Sequence, residues 1–395
     1  IRDRLQAYAN GVNTYLQNNP LPPEYAPLEI TKADPWTPVH TLLIIKGMSA
    51  QQGLDDELEE VDLTIKLGTY SAYGAALGFD GQALFFEDTH RFAPPDDRVT
   101  APDFLAAPAA EVEANIEASG ISGKGKSRLE WTGSQEVSEN TLALAKSYRQ
   151  KLGDAPLIKL FGAEKGERFG SNAWLIAGEH TATGNPMIAN DPHMTLDTPS
   201  IWYETQLIFD RDGEDWFING VNVPGLPASM LGCNSVGCWG FTNNKVDVTD
   251  FYMESFLGNA LGLPTHTLYK GNPEPIHTLF NSWYVNVVGD DEMDNIVRAN
   301  IGYSGGAMIW IVPRRNDGPL LQPDLATRTS LSLAYTGHSD THEAALIREI
   351  GLSRNVDELK AALQYFDSGS QNFYWADIMG NIAWFCANEL PIRED

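Results

Sequence analysis

One predicted β-hairpin begins with a serine and ends with a histidine, so that the two residues meet at its open end. Ser171 precedes the apolar run 173–177, a turn-forming cluster occupies residues 181–186, and a second apolar run leads to His193. Apolar runs separated by Gly, Asn and Pro are typical of two paired strands. A serine hydroxyl acts as a nucleophile only when a base lies beside it, so the two ends could serve one reaction. On spacing alone, an ordinary hairpin with a polar edge is the favoured interpretation.

The sequence around and after Ser171 resembles the penicillin acylase (penicillin amidase) family of N-terminal nucleophile hydrolases. Residues 171–193 read SNAWLIAGEHTATGNPMIANDPH, and further familial segments follow in order. These segments are PSIWYE (199–204), GVNVPGLPASMLG (220–232), WGFTNNKVDVTDFY (239–252), GPLL (318–321) and QNFYWADIMGNI (371–382). Several ordered motifs over nearly the whole chain make the resemblance specific, which a lone Gly-Ser pair would not.

The resemblance implies a catalytic centre built on Ser171. The base would be the α-amino group of Ser171, which exists only after the chain is cut between Gly170 and Ser171. An α-amino group has a pKa of about 7.7–8.0, so it can take and return a proton near neutral pH. Asn243 matches the position whose backbone N–H forms half of the oxyanion hole. His193 matches a position near the nucleophile's amine, and Met194 matches a position in the acyl pocket.

An acidic segment downstream offers hard oxygen ligands. Calcium is bound by about six to eight oxygens from carboxylates and backbone carbonyls. The resemblance implies a structural calcium ion held by Asp247, the Thr249 carbonyl and Asp250. Glu57, from the helical part of the chain, and the Pro391 carbonyl would complete its ligands. Judged from the residues alone, capping of a loop is the favoured interpretation of the two aspartates.

Two further motifs match other hydrolase patterns in part. Residues 302–306 fit G-x-S-x-G, but residues 307–312 are strand-like, whereas a nucleophile elbow is followed by a helix. His338 and His342 are four residues apart, yet the H-E-x-x-H order of zinc hydrolases is missing. The second motif is therefore predicted to be a solvated turn and helix start.

Composition excludes several classes of protein. The chain has 395 residues, of which 43% are hydrophobic, and can bury a large core. Its net charge of −26 disfavours nucleic acid and anionic membrane surfaces as partners. No apolar run approaches the roughly 20 residues that span a bilayer. Three cysteines are too few for a disulfide framework. Cys233 and Cys238 either bridge a short loop or remain thiols in neighbouring strands.

The distribution of apolar residues predicts an α+β fold. Apolar residues recur at helical spacing at Leu5, Tyr8, Val12 and Leu16, and residues 39–53 and 141–152 are further helix candidates. Residues 98–140 read as a loose excursion, and short β-rich runs begin at residue 171. Helices return near 342–350 and 356–364. We therefore divide the chain into a helical region, 1–150, a connector, 151–170, and a strand-rich region, 171–395. The resemblance implies that these are the α subunit, a spacer and the N-terminal part of the β subunit of one precursor, in a partial four-layer αββα sandwich.

These observations lead to a functional expectation. We expect an amidohydrolase that cleaves a linear amide of an N-acyl substrate, in the periplasm or outside the cell. Deacylation of N-acyl homoserine lactones or lipopeptides is the alternative within the family. An acidic, secreted, calcium-binding module without catalysis is the alternative of another class. In the family, an asparagine side chain supplies the second oxyanion donor, with a supporting arginine, and both matching positions lie beyond residue 395. We therefore expect a fragment truncated at both ends, with little activity alone.

Overall fold

A computed structural model describes residues 1–54, 57–89, 137–153, 170–194, 198–244, 246–299 and 306–393. For residues 51, 52, 54, 57–59, 152, 153 and 306 it describes the backbone alone. The predictions for residues 98–136, for most of the connector and for the serine motif at 302–306 lie outside the described residues. The side chain of Glu57 lies outside them as well.

Seven α-helices occur in the described residues, five before the first strand and two near the end. They are α1 (Arg2–Asn18), α2 (Pro38–Leu54), α3 (Glu57–Leu77), α4 (Gly81–Thr89), α5 (Glu139–Gly153), α6 (Glu343–Leu352) and α7 (Val356–Ala362). The start of α7 shows why helices form where they do. The Asn355 side chain accepts a hydrogen bond from the Glu358 N–H, and the Glu358 carboxylate accepts one from the Arg354 N–H. The first bond satisfies a backbone donor that the first helical turn leaves open, and the second ties the residue before the N-cap to the same turn.

Strands occupy most of the chain from Gly170 onward. They are β1 (Gly170–Ile176), β2 (Met187–His193), β3 (Tyr203–Arg211), β4 (Glu214–Asn222), β5 (Leu231–Asn234), β6 (Gly237–Asn243), β7 (Thr249–Gly258), β8 (Pro264–Tyr269), β9 (Asn272–Pro275), β10 (His277–Ser282), β11 (Tyr284–Asn286), β12 (Ile296–Arg298), β13 (Gly306–Val312), β14 (Gly318–Asp324), β15 (Thr329–Tyr335), β16 (Gln371–Asp377) and β17 (Ile382–Ala387).

The described strands form four sheets, and every pairing in them is antiparallel. One sheet has six strands in the order β17-β16-β6-β5-β4-β3, and another has seven in the order β10-β13-β14-β15-β7-β8-β9. The hairpins β1-β2 and β11-β12 are two-stranded sheets. Consecutive strands are mostly neighbours, as expected when short turns connect them.

The main core covers one face of the six-stranded sheet. In the central strands β6 and β16, Trp239 lies opposite Trp375, and Phe241 lies opposite Phe373. Side chains two apart on a strand share a face, so these four aromatics project together. They pack with Leu346 and other apolar residues of α6 and α7. The cross-strand aromatic pairs thus fix the register of the two strands on which the site is built.

The seven-stranded sheet contains a buried ionic group. Glu254 on β7 is 2% exposed and accepts hydrogen bonds from Arg315 Nε at 2.7 Å and Arg314 Nη2 at 3.2 Å. The Ser332 hydroxyl, on the neighbouring strand β15, donates to it at 3.1 Å. Buried charges persist when they are paired and hydrogen-bonded in this way.

The chain divides into two compact units, residues 1–61 with 146–395 and residues 62–145. Within the smaller unit, Phe85 of α4 is buried and meets the Tyr70 ring edge-on, with ring centres 5.7 Å apart. The Tyr70 hydroxyl donates to Asp88 at 3.0 Å. Gly81 lies so close to the Tyr70 carbonyl that no side chain would fit there.

The predicted α+β class is confirmed by the helices and sheets of the described residues. The amphipathic first helix, the helices near 342 and 356, and the strand-rich texture from residue 171 are all present. None of the described helices is long and apolar enough to cross a bilayer.

Candidate active site

The predicted hairpin is present and carries Ser171 on its inner face. β1 and β2 pair so that Ser171 lies opposite Pro192 and Gly170 lies opposite His193. Burial alternates along β1, with Ser171 on the half-buried face and Asn172 on the exposed face. The alternation follows from the period of two in a strand. The serine side chain is therefore directed toward the protein rather than toward solvent.

The Ser171 hydroxyl lies against the peptide carbonyl that precedes it. Ser171 Oγ donates a hydrogen bond to the Gly170 oxygen at 2.7 Å. Gly170 places no side chain over that carbonyl, and a Cβ built there would meet, among the described atoms, the His193 Nδ1 alone, at 3.6 Å. The oxygen nucleophile and the carbonyl of the Gly170–Ser171 peptide are thus already neighbours. Attack at this carbonyl is the chemistry that the arrangement permits.

His193 lies beside the same peptide, but on the other face of the hairpin. Strand alternation places His193 with Asp191 on the exposed face of β2, and His193 Nε2 is 3.1 Å from Asp191 Oδ2. The His193 side chain is 49% exposed. The structure therefore brings His193 next to Gly170 and orients it through a carboxylate, without placing it on the face that carries the Ser171 side chain.

The strand β6 presents the Asn243 N–H toward the hairpin. Phe241 N–H donates to Asn190 of the hairpin, and Asn244 N–H donates to Ser370 on the opposite side, next to β16. N–H groups of alternate strand residues point in the same direction. The N–H of Asn243 therefore points to the hairpin side, as that of Phe241 does. This is the orientation that an oxyanion donor near Ser171 requires.

An apolar cavity of about 50 Å³ lies on the core face of β6 and β16. Phe241, Phe373 and Gln371 line it from the sheet, and Ile45 and Met48 line it from α2. Gln371 is the register partner of Asn243, and its Nε2 donates to Asn243 Oδ1 at 3.0 Å. The cavity therefore begins beside the strand end that carries the candidate oxyanion donor.

Met194 is not among the described residues that line this cavity. It is half-buried and follows directly after β2. A second apolar cavity, of about 150 Å³, adjoins the first through shared walls at Ile45 and Ile347. Aromatic and apolar walls of this kind suit an apolar acyl group.

The acidic segment that contains Asp247 and Asp250 lies next to Glu60. Glu60 is about one helical turn after Glu57, the glutamate that the sequence predicted. Glu60 Oε1 accepts a hydrogen bond from the Phe251 N–H at 3.4 Å, while Glu60 Oε2 is buried and has no partner among the described residues. Burial, reinforced by the Asp250 and Asp247 carboxylates, raises the pKa of Glu60 to about 7. Three carboxylates thus lie within electrostatic reach of one another.

Arg393 supplies the positive charge at this cluster. Its Nη2 is 2.7 Å from Asp247 Oδ2, and its Nε is 2.9 Å from Asp250 Oδ1. Pro391, two residues earlier, lines the same surface groove as Asp250. The donor types suit a hard cation, but among the described side chains no three acids or histidines converge on one point. The guanidinium bridges the two aspartates instead.

The structure resolves the choice that the sequence left open for two cysteines. Cys233 on β5 and Cys238 on β6 are joined by a disulfide, with their Cα atoms 3.9 Å apart. They form a directly opposite cross-strand pair. The bond closes the turn that leads into the strand ending at Asn243. His338 and His342 lie at a 3-10 turn and at the N-cap of α6, which confirms the predicted turn and helix start. The turn was expected to be solvated, but His338 Nδ1 is buried.

Sequence reasoning missed three residues at the site. Asn190 lay in the polar segment that ends the hairpin, yet only the tertiary structure shows it against β6. Glu60 is three residues from Glu57, so helical periodicity places it on a similar face of α3. No local pattern in the sequence indicated a role for Arg393. Its partners, Asp247 and Asp250, are about 145 residues away in the chain and pair with it only after folding.

Comparisons with known proteins agree with the resemblance found in the sequence. A family model described as Penicillin amidase matches residues 1–395. The chain is 26% identical over 401 aligned positions to penicillin acylase 2 proenzyme from Pseudomonas sp. strain SE83, covering 99% of this chain and 42% of that protein. It is 25% identical over 236 positions to the acyl-homoserine lactone acylase QuiP of Pseudomonas aeruginosa, covering 57% of this chain and 25% of that protein.

A thermostable penicillin G acylase from Alcaligenes faecalis is similar in structure at 20% identity and a TM-score of 0.44, over 55% of this chain and 35% of that one. The chain spans less than half the length of each of these relatives.

Proposed function

The chain belongs to the penicillin amidase family, and we propose that it is part of an N-acyl amide hydrolase whose nucleophile is Ser171 after self-cleavage. The observation that carries this proposal is the position of Ser171 Oγ, 2.7 Å from the Gly170 oxygen. A hydroxyl in that place is suited to attack the peptide that must break. The name of one relative, a penicillin acylase proenzyme, supports maturation of this kind.

Self-cleavage would proceed by an N-to-O acyl shift. Ser171 Oγ bonds to the Gly170 carbonyl carbon and its proton passes to the Ser171 nitrogen as the C–N bond breaks. The product is an ester between Gly170 and the Ser171 side chain, together with a free α-amino group. Water then hydrolyses the ester and leaves a carboxylate at Gly170. α and β subunits would arise from one precursor in this way.

Turnover would use the amine that cleavage creates. The α-amino group of Ser171 accepts the Oγ proton as Oγ bonds to the substrate's acyl carbon, and it returns that proton to the leaving amine. The Asn243 N–H would stabilise the oxyanion, since donors aimed at developing charge lower the barrier. Water then releases the acyl group from Ser171 as a carboxylic acid.

His193 and Met194 would have different roles. His193, held by Asp191, lies beside Gly170 and would orient the amine. Met194 would contact the acyl chain at the entrance to the acyl pocket, and not inside the apolar cavity beside β6. His193→Ala should lower turnover of all substrates, whereas Met194→Ala should change acyl preference more than overall rate. A substrate-dependent effect at His193 with a uniform effect at Met194 would reverse the two assignments.

The acyl group would be apolar, because the cavity that begins beside Asn243 has mainly aromatic and aliphatic walls. Hydrolysis of phenylacetyl, glutaryl and long-chain acyl amides by the full-length protein tests this proposal. We expect measurable turnover of an apolar acyl amide, abolished by Ser171→Ala. No hydrolysis of any member of the panel would favour the non-catalytic calcium-binding alternative.

Acyl-homoserine lactones are the second candidate substrate class, since a relative covering 57% of the chain is named an acyl-homoserine lactone acylase. A larger kcat/KM for an acyl-homoserine lactone than for phenylacetyl amides would favour this class. The disulfide supports a periplasmic or secreted location, because such bonds persist in oxidising compartments.

We also propose that the acidic cluster binds calcium. Asp247, the Thr249 carbonyl, Asp250 and the Pro391 carbonyl would hold the ion, with Glu60 in the role that the sequence assigned to Glu57. The ion would supply positive charge that ties Glu60 to β7. Binding would require Arg393 to leave its two aspartates.

Calorimetric titration of metal-free full-length protein tests the calcium site. We expect calcium to bind and to raise the melting temperature, Asp250→Asn to remove both effects, and Arg393→Gln to tighten binding. Asp215→Asn, an exposed substitution on β4, is the matched control. Equal calcium responses in the Asp250 variant and the control would contradict the proposal.

A further inference from the structure

The hairpin that carries Ser171 is not part of the sheet that carries Asn243. β1 and β2 form their own two-stranded sheet, and β6 belongs to the six-stranded sheet. No ladder of backbone hydrogen bonds therefore fixes the nucleophile strand against the oxyanion strand. Among the described residues, the hydrogen bonds between the hairpin and β6 come from one side chain, Asn190 on β2.

The Asn190 amide forms hydrogen bonds with β1 and with β6 at the same time. Its Oδ1 accepts from the Phe241 N–H at 3.0 Å, and its Nδ2 donates to the Phe241 oxygen at 3.1 Å. The same Nδ2 donates to the Asn172 oxygen at 2.9 Å. The amide thus supplies to Phe241 the donor and the acceptor that a neighbouring strand would supply. We call these three hydrogen bonds the Asn190 bridge.

The residue next to Phe241 provides independent evidence that this position is built around Asn190. A Cβ placed on Gly240 would lie 2.5 Å from Asn190 Oδ1 and 2.8 Å from Asn190 Cγ. Real Cβ atoms do not approach other atoms so closely, so a side chain at Gly240 would push the amide away. The close approach of the amide to β6 therefore requires glycine here.

The bridge joins the two strands beside the reacting groups. Asn172 directly follows Ser171, and Phe241 is two residues before Asn243 on the same side of β6. We propose that Asn190 is a positioning residue that sets the distance between Ser171 Oγ and the Asn243 N–H. This inference rests on the proposed function, because it assigns the part that Asn190 plays in that reaction. Misplacing reacting groups by about 1 Å can cost about 100-fold in rate.

Asn190→Asp is the sharpest test, because it changes the chemistry and keeps the shape. At pH 8 the ionised carboxylate places an oxygen where the amide has its nitrogen. This oxygen repels the carbonyl oxygens of Asn172 and Phe241, to which the amide nitrogen donates. We expect self-cleavage or kcat to fall by about 10- to 100-fold, with KM within about twofold of wild type. Below pH 5, the protonated carboxyl donates a hydrogen bond again. The activity ratio of variant to wild type should therefore rise on acidification by about tenfold, which lost stability alone would not produce.

Two further variants complete the experiment in the full-length protein. Asn190→Ser is neutral and too short to reach Phe241, so we expect a lower kcat with no change of that ratio with pH. It also serves as the test if Asn190→Asp does not fold. Asn185→Asp, exposed in the turn of the same hairpin, is the matched control and should behave as wild type.

Wild-type rates in both Asn190 variants, or a ratio independent of pH in a folded Asn190→Asp protein, would overturn the inference. A wild-type protein that neither cleaves itself nor hydrolyses amides would instead overturn the proposed function, and the inference with it.

Discussion

Stability should fall in weak acid because of one buried histidine. His338 lies between Gly337 and Ser339, whose carbonyl oxygens both accept hydrogen bonds from Lys46 Nζ, at 2.8 and 2.7 Å. Its Nδ1 is buried without a partner among the described residues, and its ring meets Tyr335 edge-on. Burial, reinforced by the Lys46 charge, lowers the pKa of His338 from 6.5 to about 4. The folded protein therefore holds this imidazole neutral.

The sign and size of the effect follow from that pKa. The unfolded chain binds a proton at His338 near pH 6.5, and the folded protein binds it only near pH 4. The stabilisation is thus complete above pH 6.5 and is lost as the pH falls toward 4. At about 1.4 kcal/mol for each unit by which the pKa is lowered, the whole effect is about 3.5 kcal/mol. About 2 kcal/mol of it is lost between pH 7.5 and pH 5, because pH 5 is still above the folded pKa of about 4.

Urea unfolding at these two pH values, with His338→Gln beside wild type, measures the effect. Glutamine does not titrate, so the difference in unfolding free energy between the two proteins should change by about 2 kcal/mol between pH 7.5 and pH 5. Other titrating groups cancel in this comparison. His342→Gln is a control of opposite sign, because the hydrogen bond to Asp367 raises the pKa of His342. Its stabilisation is present in acid and lost as the pH rises. An identical pH dependence in His338→Gln and wild type would refute the reasoning.

Two further predictions concern the sheets around the site. Replacing Cys233 by serine breaks the bond to Cys238 and should lower the free energy of unfolding by about 2 kcal/mol, the value for so short a loop; an unchanged urea midpoint would contradict this. Glu254→Gln gives Arg315 a neutral partner in a buried site, while Arg314 keeps its ion pair with Glu274. The change should cost about 3–5 kcal/mol and lower the melting temperature, and a loss below about 1 kcal/mol would contradict this.

Local patterns in the sequence predicted the hairpin well. The alternation along β1 and β2, with a turn cluster between, placed Ser171 and His193 at its two ends, and the register has them one residue apart. The same pattern could not assign faces, because it does not say which face of the hairpin packs on the protein. Hence the sequence predicted His193 near the serine's amine without indicating that its side chain lies on the exposed face.

Long-range pairings were beyond sequence reasoning. The Asn190 bridge joins residues about 50 positions apart, and Arg393 meets Asp250 across more than 140 positions. Nothing in local composition encodes such contacts, since they depend on how the sheets close. The disulfide stayed undecided for a related reason, because Cys233 and Cys238 become a directly opposite pair only once the register of β5 and β6 is set.

The central claim is that Ser171 becomes an N-terminal nucleophile, and intact-mass spectrometry of the full-length protein tests it most directly. We expect wild type to consist of two chains, the larger beginning at Ser171. Ser171→Ala should give one uncut chain, and Ser200→Ala, an exposed serine outside the hairpin, should be cut as in wild type. A wild-type protein that remains one chain, or a Ser171→Ala protein that is cut normally, would contradict the account.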